Sequence, residues 1–145
     1  MNAMNTTREP WTSIGLLVLR LGITPLLLVG HGWGKLVHFG ERAATFANPI
    51  GVGPQASFAL VVLAEVFCQV ALALGLFTRL AAIPPVIFFL VAGFIQLGPE
   101  PWAKKELAFV YLVPYLALLL AGAGRYSLDA WLARRRSAGP ADNIA

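Results

Sequence analysis

Charged residues are scarce in this sequence, and their scarcity narrows the class of protein. Only 12% of the 145 residues are charged, whereas 58% are hydrophobic. A water-soluble domain carries about a quarter of its residues as charges, because its surface must stay hydrated. The mean hydropathy of +0.72 likewise indicates a chain that is more apolar than a water-soluble domain. The composition therefore predicts an integral membrane protein.

The residues that common catalytic chemistries need are also few. The single cysteine, Cys68, excludes a disulfide framework and a CxxC redox pair. The two histidines do not have the number or spacing for a zinc site or for haem ligation across membrane helices. No phosphate-binding loop, dinucleotide fingerprint or GxSxG motif occurs. We therefore expect no metal site and no intrinsic cofactor, and the chain is more typical of a subunit than of a complete enzyme.

The positive net charge of +4 is concentrated at the ends of hydrophobic runs. Once these runs are assigned to the membrane, no basic face large enough for a nucleic acid remains. The pattern instead suits a bilayer, whose anionic headgroups attract lysine and arginine at the ends of spanning helices. The sequence predicts the lipid bilayer as a partner and no nucleic-acid partner.

Four hydrophobic runs are long enough, or nearly so, to cross a bilayer as helices. About 20 helical residues span a bilayer core, and lipid offers no partner for an unpaired backbone group. The runs are residues 13–35, 56–77, 80–97 and 105–123. They predict an all-α fold, an integral membrane four-helix bundle that forms one domain over residues 1–129. Gly75, in the tight second turn, is predicted to cap the C-terminus of the second helix.

The distribution of basic residues predicts the orientation of the bundle. Four spans place both termini on one side, and that side holds the larger basic set: Arg8, Arg79, Arg125, Arg134, Arg135 and Arg136. The positive-inside rule then places both termini in the cytoplasm. The segment SLDAWLARRR predicts a short amphipathic helix at the membrane surface. Residues 130–145 are accordingly interpreted as a cytoplasmic tail, amphipathic at first and disordered at its end.

Polar side chains inside the hydrophobic runs are the candidate functional groups. Arg20, Thr24, His31 and Lys35 fall on one face of the first helix, because successive helical residues turn by about 100°. Glu65 lies in the middle of the second run, at a depth estimated to match that of Arg20. Either charge alone would be costly in a membrane, so Arg20 and Glu65 are predicted to form an ion pair. A structural and a functional role for this pair both stay open.

A polar pocket is predicted between the first, second and fourth helices. Its candidate ligand-binding residues are His31, Glu65, Lys35, Glu106 and Tyr111. Structural interpretations remain open as well, since Lys35 can extend to the headgroups and Glu106 can stabilise its own helix N-terminus. Gly30 and Gly34 form a small-xxx-small pair, which is expected to let the first helix approach a neighbour closely. No residue is assigned a catalytic role.

An ordered set of motifs resembles one family. HGWGKL at the end of the first run, Glu65, GLFTRLAA at the second turn and KELAFVYLVPYLALLLAGAGRYSLD are together similar to the DoxX family of bacterial four-helix membrane proteins. The resemblance covers the chain from about Leu16 to Asp129. It implies a place in the bacterial cytoplasmic membrane, with the family's polar positions at Arg20, His31, Lys35, Glu65, Arg79, Glu106 and the segment Gly124 to Asp129.

The resemblance also implies a redox context. The family shares its name with a subunit of thiosulfate:quinone oxidoreductases. Some of its members are linked to oxidative-stress complexes that contain superoxide dismutase and a sulfurtransferase. A quinone is therefore the ligand that this resemblance suggests, and a soluble redox protein is the corresponding partner.

Three functions compete on this basis. The first is a redox-associated subunit that binds a quinone in the polar pocket, with His31 near one carbonyl and Glu65 as the proton-handling group. The second is a non-catalytic membrane scaffold whose C-terminal tail recruits soluble oxidative-stress or sulfur-metabolism partners. The third is a small transporter, for which four spans would require a homo-oligomer. The quinone-binding subunit is the preferred interpretation.

Overall fold

The structure is a computed structural model that describes residues 3–137, with side chains for residues 10–136. Helices make up most of this range, and no strand is present in it. The predicted all-α membrane-bundle fold is confirmed. The predicted disordered end of the tail, after residue 137, lies outside the described residues.

Three long helices have the length and hydropathy needed to cross a membrane. We call them span 1 (Pro10–Val37), span 2 (Pro54–Leu74) and span 3 (Thr78–Gln96). Each combines α-helix with a π-helical turn. Span 1 contains most of α1 (Ala3–Leu27), the turn Leu28–Gly32 and α2 (Trp33–Val37). Span 2 contains α4 (Pro54–Val62), the turn Leu63–Phe67 and α5 (Cys68–Leu74), and span 3 contains α6 (Thr78–Leu90) and the turn Val91–Gln96.

The remaining helices are α3 (Phe39–Arg42), in the loop between spans 1 and 2, α7 (Trp102–Ala121) and α8 (Leu128–Ser137). α7 overlaps most of the fourth predicted run, and its 20 residues give a length of about 30 Å, enough for a bilayer core. It is not among the three helices that qualify by composition, because Lys104, Lys105 and Glu106 lie near its start. The fourth membrane crossing therefore stays a prediction.

The four long helices form a closed up-and-down bundle. α1 packs on α5 and α7, and α6 packs on the same two helices, so each has two neighbours. The hydrophobic core between them includes Leu27, Leu72, Ala82, Phe89, Tyr115 and Leu118. Many large apolar side chains on the outside are exposed, as a lipid-facing surface requires. We call the end with residues 38–53 the loop end, and the end where residues 75–77 and 122–129 lie the terminal end.

Arg20 is completely buried at the terminal end, where it binds backbone carbonyls and not a carboxylate. Its Nη1 atom donates to Leu72 O and Ala73 O at 3.3 and 3.2 Å, and Nη2 donates to Tyr126 O at 2.5 Å. Leu72 and Ala73 lie in the last turn of span 2, where carbonyls lack the usual helical N–H donors. The guanidinium supplies donors to both, and Leu72 O also accepts the Gly75 N–H at 3.0 Å. The predicted Arg20–Glu65 ion pair is wrong, because Glu65 lies about 10 Å from Leu72 along the helix axis.

The terminal end is closed by the turn after span 2 and by the segment that leads into α8. Gly75 has a φ of 67°, as predicted for a helix C-cap, and a Cβ there would collide with the Arg20 guanidinium. The Asp129 carboxylate accepts the N–H groups of Phe77 and Thr78 at 2.7 and 2.9 Å, which caps the N-terminus of span 3. α8 therefore begins within the bundle and runs across the predicted boundary at residue 130.

Spans 1 and 2 approach each other closely where their π-helical turns meet, at Gly32. A Cβ at this position would overlap the carbonyl of Glu65, so only glycine allows the observed spacing. A Cβ at Gly30 or Gly34, by contrast, would have no neighbour within 4 Å. The predicted role of Gly30 and Gly34 in helix approach is wrong, and Gly32 has that role instead.

Replacing Arg20 with methionine should destabilise the bundle strongly. The change removes the guanidinium donors from three carbonyls. Leu72 O keeps the Gly75 N–H, whereas Ala73 O and Tyr126 O lose their donor, and an unpaired buried group costs about 1–3 kcal/mol. We expect the free energy of unfolding to fall by about 3 kcal/mol or more, as measured by denaturant titration in detergent with circular dichroism. The control is Arg42→Met, at an exposed arginine of the loop end. Equal stability of the two variants would contradict the role given to Arg20.

Replacing Gly32 with alanine should push spans 1 and 2 apart. Overpacking of a close helix contact costs about 1–3 kcal/mol, and we expect a loss of stability in this range. Gly30→Ala is the matched control, since its Cβ meets open space and alanine is the better helix former. Thermal unfolding of both variants in the same detergent makes the comparison. A Gly32→Ala protein as stable as Gly30→Ala would refute the close approach.

Candidate ligand-binding site

The site is centred on an ion pair between Lys35 and Glu65. The Lys35 Nζ atom lies 2.6 Å from Oε1 and 2.5 Å from Oε2 of Glu65, so the ammonium bridges both carboxylate oxygens. The Glu65 side chain is 2% exposed and the Lys35 side chain 22% exposed. The second ion pair among the described residues, Lys104 with Glu100, is exposed and lies within one stretch of chain. Lys35 and Glu65 thus form the buried, interhelical charge pair of the described residues.

The π-helical turn of span 1 decides which of its polar residues faces Glu65. After Leu27, the next buried residue of the span is Gly32, whereas a regular α-helix would place His31 at that position. His31 consequently lies on the exposed side of the helix. Lys35 follows Gly32 by about one turn on the inner side. Its long side chain then reaches the Glu65 carboxylate.

A row of aromatic rings leads from the ion pair to α7. The Lys35 ammonium lies 5.7 Å from the centre of the Phe88 ring, within range of a cation–π interaction. Phe88 packs edge-on against Phe89 at 4.9 Å between centroids. Phe89 in turn stacks on Tyr111 and Tyr115 at 5.2 and 5.7 Å. Apolar rings lower the local dielectric, which strengthens the attraction within the ion pair.

Gln69 connects α7 to the part of span 2 that carries Glu65. The Tyr115 hydroxyl donates to Gln69 Oε1 at 2.6 Å, and Gln69 Nε2 donates to Ala64 O at 2.7 Å. Both side chains are fully buried, and Ala64 immediately precedes Glu65. Gln69 was not among the predicted site residues. Its signal in the sequence is a spacing of four residues from Glu65, which places the two on one face of a helix.

The other predicted pocket residues form no hydrogen bond or ion pair with Lys35 and Glu65. His31 is exposed, and its ring meets Tyr111 edge-on with centroids 6.2 Å apart. Glu106 is exposed and makes no hydrogen bond or ion pair within residues 10–136. The five predicted residues therefore separate into a charged pair, an aromatic pair and an isolated carboxylate. Their part in binding a ligand stays a prediction.

An apolar groove of about 280 Å³ lies between spans 2 and 3 and is bordered by the loop end. Its walls include Phe46, Ile50, Leu60, Leu63, Pro84 and Ile87. Phe88 also lines it, so the same ring touches the groove and the Lys35 ammonium. The groove does not lie between the first, second and fourth helices, where the pocket was predicted. Phe88 has no distinguishing signal in the sequence, because it is one apolar residue in an apolar run.

The chain was compared with known families and proteins. The DoxX family profile matches residues 15–97. No curated protein and no solved structure matches the chain. The matched range covers more than half of the 145 residues and contains both members of the Lys35–Glu65 pair. On this match, the chain belongs to the DoxX family.

Proposed function

We propose that this membrane protein is a redox-associated subunit that binds a quinone in the groove between spans 2 and 3. The observation that carries the proposal is the double contact of Phe88, which lines the apolar groove and lies 5.7 Å from the Lys35 ammonium. A quinone needs an apolar slot for its ring and a polar group at each carbonyl oxygen. The groove supplies the slot, and the ion pair lies one side chain away from it.

The size and lining of the groove suit a lipid-soluble ring. Its volume of about 280 Å³ is near the lower end of ligand pockets, at about 300 Å³. Ser57 and Gln96 are the polar residues of its wall. The Ser57 hydroxyl already donates to Asn48 Oδ1 at 3.1 Å. The exposed Gln96 amide is therefore the donor that we assign to one quinone carbonyl.

We assign the second carbonyl to the ion pair. An ammonium has three N–H donors, and two of those of Lys35 are directed at Glu65, which leaves one for a ligand oxygen. A change of the Phe88 rotamer would open the path between that donor and the groove. Reduction of a quinone takes up protons as well as electrons, and Lys35 with Glu65 can hold and release a proton there. The electrons would come from a soluble redox partner.

The proposed setting is the bacterial cytoplasmic membrane, with both termini in the cytoplasm. The larger set of arginines lies at the terminal end, which agrees with the positive-inside rule. α7 is then the fourth membrane crossing. In this orientation the loop that borders the groove lies on the side away from the cytoplasm, and Glu65 lies near the middle of span 2.

Removing the ion pair should weaken quinone binding. We expect Lys35→Met to raise the Kd of a short-tailed quinone by about tenfold or more, since one carbonyl loses its donor. The measurement is a binding titration in detergent, followed by quenching of tryptophan fluorescence. Lys104→Met is the matched control, because it removes a lysine from an exposed ion pair.

Stability must be separated from binding in this experiment. Lys35→Met alone leaves Glu65 buried without a partner, which is itself destabilising. The double variant Lys35→Met with Glu65→Met removes both charges and keeps the volume close to the original, so it should stay folded. A folded double variant with the quinone affinity of the wild type would show that the pair is structural only.

A second candidate function is a scaffold for a soluble protein. It is favoured by the three exposed arginines of α8: Arg134, Arg135 and Arg136. A truncation after Ala123 would not test it, because the bundle would lose the Tyr126 carbonyl and the Asp129 cap. Point changes in α8 after its first turn avoid that damage.

Changing the three arginines of α8 to glutamine should abolish recruitment of an acidic redox protein and leave quinone binding intact. Recruitment is measured by salt-dependent co-purification of the partner with the full chain, since exposed charge pairs weaken as salt rises. The matched control is Arg42→Gln at the loop end. Co-purification that survives the triple change would exclude α8 as the docking element.

A further inference from the structure

The terminal end carries a second concavity, which the proposed function does not use. It has a volume of about 450 Å³ and lies between the start of α6, the end of α7 and the start of α8. Arg79 is part of its wall, together with Phe77, Leu80, Gly122 and Asp129. We infer that this concavity binds the phosphate of an anionic phospholipid through the Arg79 guanidinium.

Arg79 carries the charge that such a phosphate requires. Its side chain is exposed, and it forms no ion pair within the described part of the chain. Its Nη2 atom donates to Leu120 O at 3.2 Å, which holds the guanidinium beside the end of α7. The other N–H groups of the guanidinium remain for a ligand. Their planar fork matches two oxygens of one phosphate.

The acidic residue in the wall does not cancel this charge. Each oxygen of the Asp129 carboxylate accepts one backbone N–H, from Phe77 and from Thr78, at 2.7 and 2.9 Å. Asp129 also interacts electrostatically with Arg20, which forms no ion pair of its own among the described residues. The negative charge of Asp129 is therefore balanced inside the terminal end, whereas no acidic side chain within residues 10–136 forms an ion pair with Arg79.

The surroundings of Arg79 favour a phospholipid over a free anion. Phe77 lies two residues before Arg79 and Leu80 directly after it; both line the concavity, and they are 66% and 67% exposed. Apolar side chains this exposed at the end of a span contact the lipid acyl chains. A phospholipid presents an anionic phosphate next to apolar chains, so it engages both kinds of group. A free phosphate would use the arginine only.

The other charges of the terminal end point to the same ligand. Arg125 and the three arginines of α8 are exposed there, and no described acidic side chain of this end is exposed. The Arg135 guanidinium lies 4.0 Å from the centre of the Trp131 ring. Tryptophan next to arginine is typical of the headgroup region of a bilayer. These groups attract anionic lipids generally, and the concavity at Arg79 selects the position of one of them.

The test is lipid retention by the full-length chain, purified in neutral detergent and mixed with phosphatidylglycerol or phosphatidylcholine. Native mass spectrometry counts the lipids that stay bound. We expect the wild type to prefer one phosphatidylglycerol by about tenfold or more over phosphatidylcholine. Arg79→Gln should lose this preference. Arg42→Gln, an equal loss of charge at the loop end, should keep it.

Three further measurements show whether the preference comes from Arg79, from the arginines of α8 or from a free-anion site. Arg79→Lys keeps a positive charge and a donor for the Leu120 carbonyl. This variant should therefore be as stable as the wild type and retain part of the preference for phosphatidylglycerol. A preference that survives Arg79→Gln, or that disappears only when the three arginines of α8 are changed, would overturn the inference. Displacement of the lipid by inorganic phosphate would identify a free-anion site and overturn it as well.

Discussion

A bilayer core offers no hydrogen-bond partner, so every polar group that enters it must be satisfied within the protein, and the structure depends on how the chain does this. Within residues 10–136, Arg20 and Glu65 are the deeply buried charged side chains, 0% and 2% exposed. Arg20 uses the carbonyls at the end of span 2 and the Tyr126 carbonyl, and Glu65 uses Lys35. Both solutions join span 1 to span 2, at two different levels. The same contacts that make the charges tolerable therefore hold the first two helices together.

The two buried charges differ in whether their contacts leave a hydrogen-bond donor for a ligand. Both terminal nitrogens of Arg20 donate to backbone carbonyls, and Gly75 leaves no room for a side chain beside them. The terminal end is closed around this arginine, which accordingly has a structural role. Lys35 is partly exposed, keeps a donor that Glu65 does not use, and contacts a ring that lines a groove. This asymmetry is the reason for assigning a ligand to one buried charge and not to the other.

The sequence predicts the spans well because their length and hydropathy follow directly from the thickness of a bilayer. It predicts the polar face of span 1 only in part. Arg20 and Thr24 are buried, as regular helical spacing requires, but beyond them the π-helical turn moves the inward position from His31 to Gly32. No pattern of side chains in the sequence predicts such a π-helical turn. The partners of Arg20 were missed for a related reason, since backbone carbonyls in the last turn of a helix accept from arginine but do not show in a list of side chains.

The π-helical turns also bear on the choice between a structural and a functional ion pair. Such a turn is less regular than an α-helix and is common at functional sites. Gly32 and Glu65 both lie in one, and the two turns pack against each other. Gln69 supports the second turn by donating to the Ala64 carbonyl. An ion pair with a purely structural role does not require irregular backbone, since it can form between two regular α-helices. Because Glu65 lies within one of these two packed turns and Lys35 follows the other by about one helical turn, we favour the interpretation that this geometry serves a ligand.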